Sequence, residues 1–386
     1  EPIEKAFWDD VHHLNVDGDW TKWQWPEQLQ QLKDKAKAAG LWNMFLPDAE
    51  LGAGLSVQEY AHIAELTGRS LLAPTVFNCN APDSGNMEVL WRYGSEAQKQ
   101  QWLQPLLAGE IRSVFCMTEP AVASSDATNI ELRIEKDGDE WVLNGRKWFI
   151  TGAMNERTQI FIVMGKSDPD NPSRHKQQTQ VLVPKGTPGM EIIRPLTTFG
   201  YDDAPVGHAE MRFTDVRVPL ENVLLGEGRG FEIAQGRLAP GRMHHCMRLI
   251  GAAQRSLELA CQRAVSRTTF GRTLSRHQSV REDISRSFSE IEMARLLILK
   301  TCKLIDEQGP MATVDMIAAT KTTVPLLVQT VIDRCMQLHG AGGFTEDYMM
   351  AEAFNYARWS RQADGPDQVH QMALGKQIIN RFSGEA

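Results

Sequence analysis

The spacing of hydrophobic and polar positions changes twice along the chain. Residues 1–111 and 228–386 repeat with the helical period of about 3.6, whereas residues 112–227 alternate with a period close to 2. We therefore predict an α+β protein with three domains. These are an N-terminal helical domain (1–111), a middle β domain built as a small barrel or sandwich (112–227), and a C-terminal bundle of the four-helix type (228–386).

Within these domains the pattern places individual elements. Helices are predicted at 28–40, 56–67, 95–108, 228–267, 277–308, 311–340, 346–361 and 366–382. Strands are predicted at 131–135, 141–143, 146–151, 159–164, 179–183 and 208–213, with a further strand ending at Thr118. Asn144-Gly145 is typical of a hairpin turn, so we expect the chain to reverse there.

Composition removes several classes of function. The formal net charge is −8, and no stretch concentrates Lys and Arg, so a nucleic-acid partner is not expected. No apolar run approaches the roughly 20 residues of a membrane span, and residues 1–4 do not resemble a secretory signal. The six cysteines form no C-x-x-C pair, which favours reduced thiols over disulfides. His244 and His245 are adjacent and point to different sides of a helix, so no metal site is expected.

Two loops are candidates for ligand contact. Residues 226–230 are glycine-rich and precede a helix, but they fit no phosphate-binding pattern, and a flexible link is the favoured interpretation. Residues 115–126 follow a strand and contain small and hydroxyl side chains, which let a flat ligand approach the backbone closely. Taken alone, this second loop could equally be a loop of Asx and Ser turns.

Five segments, in order and in register, resemble the acyl-CoA dehydrogenase family. They are Thr118-Glu-Pro with Ser125-Asp126, Asn144-Gly-Arg-Lys-Trp-Phe-Ile-Thr151, Arg267-Thr-Thr-Phe-Gly271 with Gln278, Gln337-Leu-His-Gly-Ala-Gly-Gly-Phe344, and Ala363-Asp-Gly-Pro-Asp-Gln368. The resemblance covers nearly the whole chain and implies the family's helical–β–helical fold and bound FAD. The Asp-Gly-Pro loop is most similar to the subgroup of family members ten and eleven.

The resemblance also implies site residues. Flavin-facing residues would be Phe115, Met117, Thr118, Ser124, Ser125, Phe149, Ile150 and Thr151. The FAD pyrophosphate and adenine would be held, largely across a subunit boundary, by Arg267, Phe270, Gln278, Gln337 and Gly340, with Pro366, Asp367 and Gln368 as further cofactor contacts. The acyl-CoA substrate would be contacted by Ala123, Ser125, Gly241, Arg242 and Gly365. Arg242 could support the thioester or serve as an internal ion-pair partner.

Asp364 occupies the position where the family carries its catalytic base, usually a glutamate. From the residues alone, Asp364 could instead cap the helix that follows. Removal of an α-proton from a thioester needs a positioned carboxylate that is shielded from water, and hydrogen-bond donors where enolate charge develops. Aspartate is one methylene shorter than glutamate. Nitroalkane oxidases of the same fold also use aspartate, but the segment 239–246 favours the acyl-CoA enzymes.

The resemblance therefore implies α,β-dehydrogenation of a medium-chain, long-chain or modified acyl-CoA to the trans-2-enoyl-CoA, in fatty-acid catabolism. Electrons would pass to an electron-transfer flavoprotein, and the chain would form a homodimer or homotetramer. We expect a cytoplasmic location in a bacterium, and otherwise the mitochondrial matrix or the peroxisome. The alternatives are a flavin oxidase of the same fold, acting on a nitroalkane or an acyl-CoA, and a flavin- or CoA-binding partner without catalysis.

Overall fold

Helices precede and follow a run of strands in the computed structural model, which describes residues 3–383 apart from the side chains of residues 239 and 240. Parts of four predictions therefore lie outside the described residues. Residues 1–2 belong to the predicted chain start and first domain, residues 384–386 belong to the third domain, and the side chains of 239 and 240 belong to the segment 239–246. The first helices are α1 (Glu4–Leu14), α2 (Gln28–Ala38), α3 (Val57–Gly68), α4 (Ala73–Val76), α5 (Asp83–Tyr93), α6 (Glu96–Gln98) and α7 (Gln104–Ala108).

The strands follow, and then the longer helices. The strands are β1 (Arg112–Cys116), β2 (Arg133–Asp137), β3 (Glu140–Thr151), β4 (Thr158–Lys166), β5 (Gln178–Pro184), β6 (Met190–Leu196) and β7 (His208–Pro219). After them come α8 (Gly230–Ser266), the short strands β8 (Thr268–Thr269) and β9 (Arg272–Thr273), α9 (Gln278–Gln308), α10 (Val314–His339), α11 (Met350–Ser360) and α12 (Asp367–Ser383). The α+β class and the order of the regions are confirmed.

Contacts divide the chain into two compact units. The sheet unit comprises residues 6–46 and 76–238, and the bundle unit comprises residues 1–5, 47–75 and 239–386. This division crosses the predicted domain limits because α3 groups with the C-terminal helices. The limits of the three predicted domains stay a prediction.

The sheet unit is built around one curled sheet. Among the described residues it has seven strands in the order β1-β4-β2-β3-β7-β6, and β5 pairs with β4. Pairing is parallel between β1 and β4 and antiparallel between β3 and β7. Alternate residues of these strands form a fully buried core that includes Val114, Ile134, Leu143, Phe161 and Met211. Burial of one face at a period of two fixes the register of each strand.

The predicted hairpin at Asn144-Gly145 is wrong. β3 continues through both residues from 140 to 151, and the reversal lies earlier, between β2 and β3. The pairing with β7 shifts register between Leu143 and Gly145, so Asn144-Gly145 lies at an irregularity in a long strand. A Cβ on Gly145 would lie 2.9 Å from the Leu132 Cα, which gives a packing reason for glycine here.

Other corrections concern limits. β1 ends at Cys116, two residues before the predicted end at Thr118. The segment 95–108 is helical as predicted, with a π-helical turn at Lys99–Leu103 between α6 and α7. Strand β6 was not predicted from the sequence, since its residues 190–196 are only partly buried and alternate weakly.

The bundle unit packs α3 tightly against α8. A Cβ added to Gly68 would lie 2.0 Å from the Arg248 carbonyl oxygen, and one added to Gly251 would lie 2.0 Å from that of Glu65. Glycine at both positions therefore permits the close approach of the two helices. Arg295 of α9 reinforces the contact with α3, since its Nη2 lies 2.7 Å from Glu65 Oε1.

The sequence predicts neither a membrane span nor a metal site. Within 3–383, no helix combines the length and hydropathy that crossing a membrane requires. In the same part of the chain, no group of His, Cys, Asp and Glu side chains is arranged to hold a metal ion. The six cysteines are free thiols.

Candidate active site

The sheet unit presents an exposed aromatic edge at a bulge in β3. The register between β3 and β7 shifts between Lys147 and Ile150, so Trp148 and Phe149 fall outside the regular ladder. Phe149 adopts a φ of 52°, and 43% of its surface is exposed. A bulky residue rarely takes this left-handed conformation, and such strain concentrates at functional sites. Trp148 packs edge-on against Phe149 at 5.0 Å between ring centroids.

A buried ion pair holds the loop after β1 beside this bulge. Lys147 Nζ donates to the carbonyl of Met117 and to Glu119 Oε1, both at 2.8 Å. The Glu119 carboxylate also accepts the backbone N–H groups of Glu131 and Leu132 at 2.8 Å. One buried pair therefore fixes both ends of the loop that carries the predicted residues Thr118 to Ser125. Burial lowers the pKa of Lys147, and Glu119 opposes that shift.

The remaining predicted sheet-unit residues fall into four environments. Phe115 and Met117 are partly buried beside the cluster of Ala127, Met164 and Ala234. Ser124 Oγ accepts the Glu119 N–H at 2.8 Å, so this hydroxyl shapes the loop. The exposed residues are Ala123, Ser125 and Thr118. The Ile150 side chain lies in the sheet core, and a contact from Ile150 to a cofactor would have to use its backbone.

Thr151 belongs to a chain of polar groups that the sequence did not reveal. It pairs with His208 across β3 and β7, and Thr151 Oγ1 lies 2.9 Å from His208 Nδ1. His208 Nε2 lies 2.9 Å from Asp203 Oδ2. Because Thr151 and His208 are 57 residues apart, only the strand register could have indicated this contact.

The bundle unit contains the predicted base loop, between α11 and α12. Asp364 and Gly365 have φ values of 56° and 102°. Arg242 Nε donates to the Asp364 carbonyl oxygen at 2.9 Å, and His370 Nε2 lies 3.2 Å from the same oxygen. A Cβ on Gly241 would have Asp364 Oδ2 as its neighbour, at 3.7 Å. The structure therefore brings Asp364, Gly365, Gly241 and Arg242 together.

Arg242 has a role that neither sequence interpretation described, since it binds the backbone of the base residue. Burial lowers the pKa of Arg242, and the Asp364 carboxylate opposes the shift. Burial also lowers the pKa of His370 to about 4. His370 is thus neutral at physiological pH, and facing a carbonyl oxygen its Nε2 must carry the proton.

A second histidine stands beside the base. His245 Nε2 lies 3.9 Å from Asp364 Oδ2, and its Nδ1 lies 2.6 Å from the Tyr356 hydroxyl. Burial raises the pKa of Tyr356, so its hydroxyl stays protonated at neutral pH. The sequence analysis considered His245 only together with His244, as two adjacent histidines that are not expected to bind a metal. A helical spacing of four from Gly241, which places both residues on one face of α8, was the signal that could have found it.

Two further contacts anchor the ends of the base loop. Arg361 Nε donates to Asp367 Oδ2 at 2.8 Å, and Lys321 Nζ donates to the Ser360 carbonyl. Asp367 is buried and its Oδ1 has no hydrogen-bond partner among the described residues. Pro366 is partly buried at the start of α12, and Gln368 is exposed. Burial lowers the pKa of Lys321.

The predicted pyrophosphate and adenine contacts lie apart from the base loop in sequence, and all are exposed. Phe270 is 98% exposed at the tip of the β8–β9 hairpin. The other exposed members of this set are Arg267, Gln278, Gln337 and Gly340. An exposed phenylalanine, an exposed arginine and two exposed amides are side chains of the kind that suit a ligand with an aromatic base and phosphates.

The chemistry of these groups fits a flavin dinucleotide. The sheet unit offers an exposed aromatic ring and a hydroxyl at the β3 bulge. The bundle unit offers an exposed cationic and aromatic set, and a buried carboxylate oxygen that has no hydrogen-bond partner among the residues that the structure describes. None of these observations requires a metal.

Comparison with known proteins agrees with the resemblance. Three domain families match in succession: the acyl-CoA dehydrogenase N-terminal domain at residues 12–110, the middle domain at 114–216 and the C-terminal domain at 228–379. Mouse acyl-CoA dehydrogenase family member 10 is 53% identical over 367 residues, covering 94% of this chain and 34% of that protein. The chain thus spans about a third of the length of that relative.

Two bacterial proteins match over most of their own length. The probable acyl-CoA dehydrogenase FadE2 of Mycobacterium tuberculosis is 48% identical over 357 residues, which cover 92% of this chain and 86% of FadE2. A solved chain from Mycobacterium abscessus, named as a candidate acyl-CoA dehydrogenase, is 49% identical with a TM-score of 0.95, and the match covers 99% of this chain and 94% of that one. The chain therefore belongs to the acyl-CoA dehydrogenase family of flavin-dependent oxidoreductases.

Proposed function

We propose that the chain catalyses the α,β-dehydrogenation of an acyl-CoA thioester to the trans-2-enoyl-CoA, with Asp364 as the base that removes the α-proton. The observation that carries this proposal is the base loop. Asp364 lies in a left-handed turn whose carbonyl is held by Arg242 and faced by His370, beside the bare backbone of Gly241. A carboxylate fixed in this way satisfies the geometric requirement for general-base catalysis.

FAD would be held by the residues around the β3 bulge and by the exposed set at the β8–β9 hairpin, and when bound it supplies the two-electron acceptor. The chain's own groups position the substrate and move the proton. Asp364 takes the α-proton, and its backbone N–H is a candidate donor to the thioester oxygen as charge develops there.

The test is an anaerobic titration of the FAD-loaded protein with acyl-CoAs, followed by loss of the flavin absorbance. We expect Asp364→Asn to slow this loss by at least about 100-fold, because general-base catalysis contributes that much or more. Asp347→Asn is the matched control, since Asp347 is exposed and contacts Thr345. Equal rates in Asp364→Asn and the parent would refute the role of the base.

For the substrate, we propose a medium-chain, long-chain or modified acyl group, as in fatty-acid catabolism. Gly241 supports this because it leaves space beside Asp364 where a larger residue would project. A series of acyl-CoAs of increasing chain length tests it. Turnover confined to the four-carbon thioester would contradict the proposal.

We propose an electron-transfer flavoprotein as electron acceptor. It should reoxidise the reduced enzyme much faster than dissolved O₂ does. Peroxide formed in stoichiometric amounts without that partner would instead identify an oxidase. An FAD-containing protein that neither acyl-CoAs nor nitroalkanes reduce would identify a binding protein without catalysis.

We propose that a second copy of the chain completes the FAD site. The support is the exposure of the whole predicted set, with Phe270 almost fully exposed at a hairpin tip and Arg267 exposed at the base of the same hairpin. Light scattering should give a dimer or tetramer, and Phe270→Ser should lower the bound FAD. Leu66→Ser, on α3 and 67% exposed, is the control and should keep its FAD. A monomer with full FAD occupancy would contradict the proposal.

A further inference from the structure

Asp203, His208 and Thr151 form a directed chain of hydrogen bonds on one side of the sheet unit. Asp203 Oδ2 lies 2.9 Å from His208 Nε2, and His208 Nδ1 lies 2.9 Å from Thr151 Oγ1. The side chains of His208 and Asp203 are 14% and 30% exposed. His208 stands directly opposite Thr151 in the β3–β7 register, so the two side chains share one face of the sheet.

The identity of the groups decides which atom carries each proton. An ionised carboxylate can only accept, so His208 must present a proton on Nε2 to Asp203. A neutral imidazole then has an unprotonated Nδ1, which can only accept. The Thr151 hydroxyl must therefore donate to His208. Its lone pairs remain for any neighbour on the other side, and that neighbour has to be a donor.

We propose that Asp203 and His208 are positioning residues that turn the Thr151 hydroxyl into a hydrogen-bond acceptor toward the flavin, and so favour the reduced cofactor. The inference rests on the proposed function, in which FAD is held around the β3 bulge, and on the family resemblance, which places Thr151 against the flavin. N5 of an oxidised flavin has a lone pair and no proton, whereas N5 of a reduced flavin carries an N–H. A hydroxyl fixed as an acceptor suits only the second form.

The test is the two-electron midpoint potential of the FAD-loaded protein at pH 8.5. Asp203→Asn allows the His208 imidazole to adopt either tautomer. His208→Phe removes the ring nitrogen that accepts the Thr151 hydroxyl proton. In both variants the hydroxyl can turn its proton toward the flavin. We expect the ratio of reduced to oxidised flavin to fall about tenfold at a fixed potential, a shift of about 30 mV.

The decisive readout is coupling to Thr151. In a Thr151→Val background, neither Asp203→Asn nor His208→Phe should change the potential further, because the hydroxyl they orient is gone. Asp202→Asn is the matched control, since Asp202 accepts the Ala204 N–H and has no contact with His208 in this network. Its potential should equal that of the parent.

Two results would overturn the inference: an unchanged potential in both variants, or an equal shift with and without the Thr151 hydroxyl. The second result would mean that Asp203 and His208 act only through the loop structure. A parent protein that binds FAD but is not reduced by acyl-CoA would refute the proposed function and leave this measurement valid. A parent protein that binds no FAD would overturn both.

Discussion

The buried pair of Lys147 and Glu119 gives the sharpest prediction about stability. Their side chains are 0% and 5% exposed, and Glu119 also accepts two backbone N–H groups. Lys147→Met removes the cation and leaves the carboxylate buried without its counter-charge. Removal of one partner of a buried pair costs about 3–5 kcal/mol. We therefore expect the free energy of unfolding of the sheet unit to fall by that amount.

The assay is urea unfolding followed by tryptophan fluorescence, with Trp141 and Trp148 as reporters in the same sheet. With a slope of about 3 kcal/mol per molar urea, the midpoint should fall by about 1 M or more. Bound FAD should fall as well, because Lys147 also holds the Met117 carbonyl beside the predicted flavin-facing loop.

The chain provides its own control for this prediction. Lys136 pairs with Glu227 at the surface of the same unit, with side chains 52% and 38% exposed. Exposed pairs contribute about 0–1 kcal/mol, so Lys136→Met should leave the midpoint almost unchanged. Adding Glu119→Gln to Lys147→Met should recover part of the loss, because a neutral amide costs less to bury. Equal midpoints for Lys147→Met and Lys136→Met would refute the reasoning.

Three further changes test the packing, the charges and the base loop. Gly68→Ala places a Cβ 2.0 Å from a carbonyl oxygen of α8 and should lower the free energy of unfolding by about 1–3 kcal/mol or more. At Gly375 a Cβ has no neighbour within 4 Å, so Gly375→Ala should stabilise α12 by up to about 1 kcal/mol. Urea unfolding measures both changes. Burial lowers the pKa of Lys33 to about 7, whereas the unfolded chain keeps the ordinary value of 10.5. Below pH 7 the folded protein therefore buries a charged ammonium, which lowers the free energy of unfolding by the full amount. This loss of stability shrinks as the pH rises toward 10.5, where the unfolded chain also loses the proton. Lys33→Met should thus raise the free energy of unfolding by a few kcal/mol at pH 6 and by less at pH 9. The control Lys35→Met, at an exposed position, should leave the stability unchanged at both pH values. An effect of Lys33→Met that does not depend on pH would contradict the reasoning. Gly365→Ala adds a Cβ 2.7 Å from an imidazole nitrogen at a φ of 102°, so reduction by acyl-CoA should slow at least tenfold while FAD content is kept.

Periodicity predicted the long helices well, because their cores repeat at 3.6 over many turns. α9 was predicted at 277–308 and runs from Gln278 to Gln308, and α8 differs by one or two residues at each end. Local turn signals were less reliable. Asn144-Gly145 has the residues of a hairpin, but the tertiary contact with Leu132 and the pairing with β7 keep the strand extended there.

The residues of the candidate site were likewise predicted in part and missed in part. Short motifs such as Asp364-Gly365 could be predicted from the sequence, because the turn needs glycine or a small polar residue at positive φ. His208, Asp203, His245 and Tyr356 were missed as site residues. These residues contact the site through strand register and helix packing, so their partners lie far away in sequence and no local pattern predicts them.

The way in which the base loop is held makes the Asp364→Asn experiment interpretable. Arg242 binds the carbonyl oxygen of residue 364, and His370 faces the same oxygen, so these contacts belong to the backbone and survive any substitution of the side chain. Asparagine also tolerates the left-handed conformation that Asp364 adopts at a φ of 56°. The variant should therefore keep the loop, the shape of the side chain and the neighbouring Gly241 surface. What it loses is the negative charge of the carboxylate and with it the ability to take a proton. A loss of flavin reduction in a variant that keeps the loop can then be assigned to the carboxylate rather than to the fold.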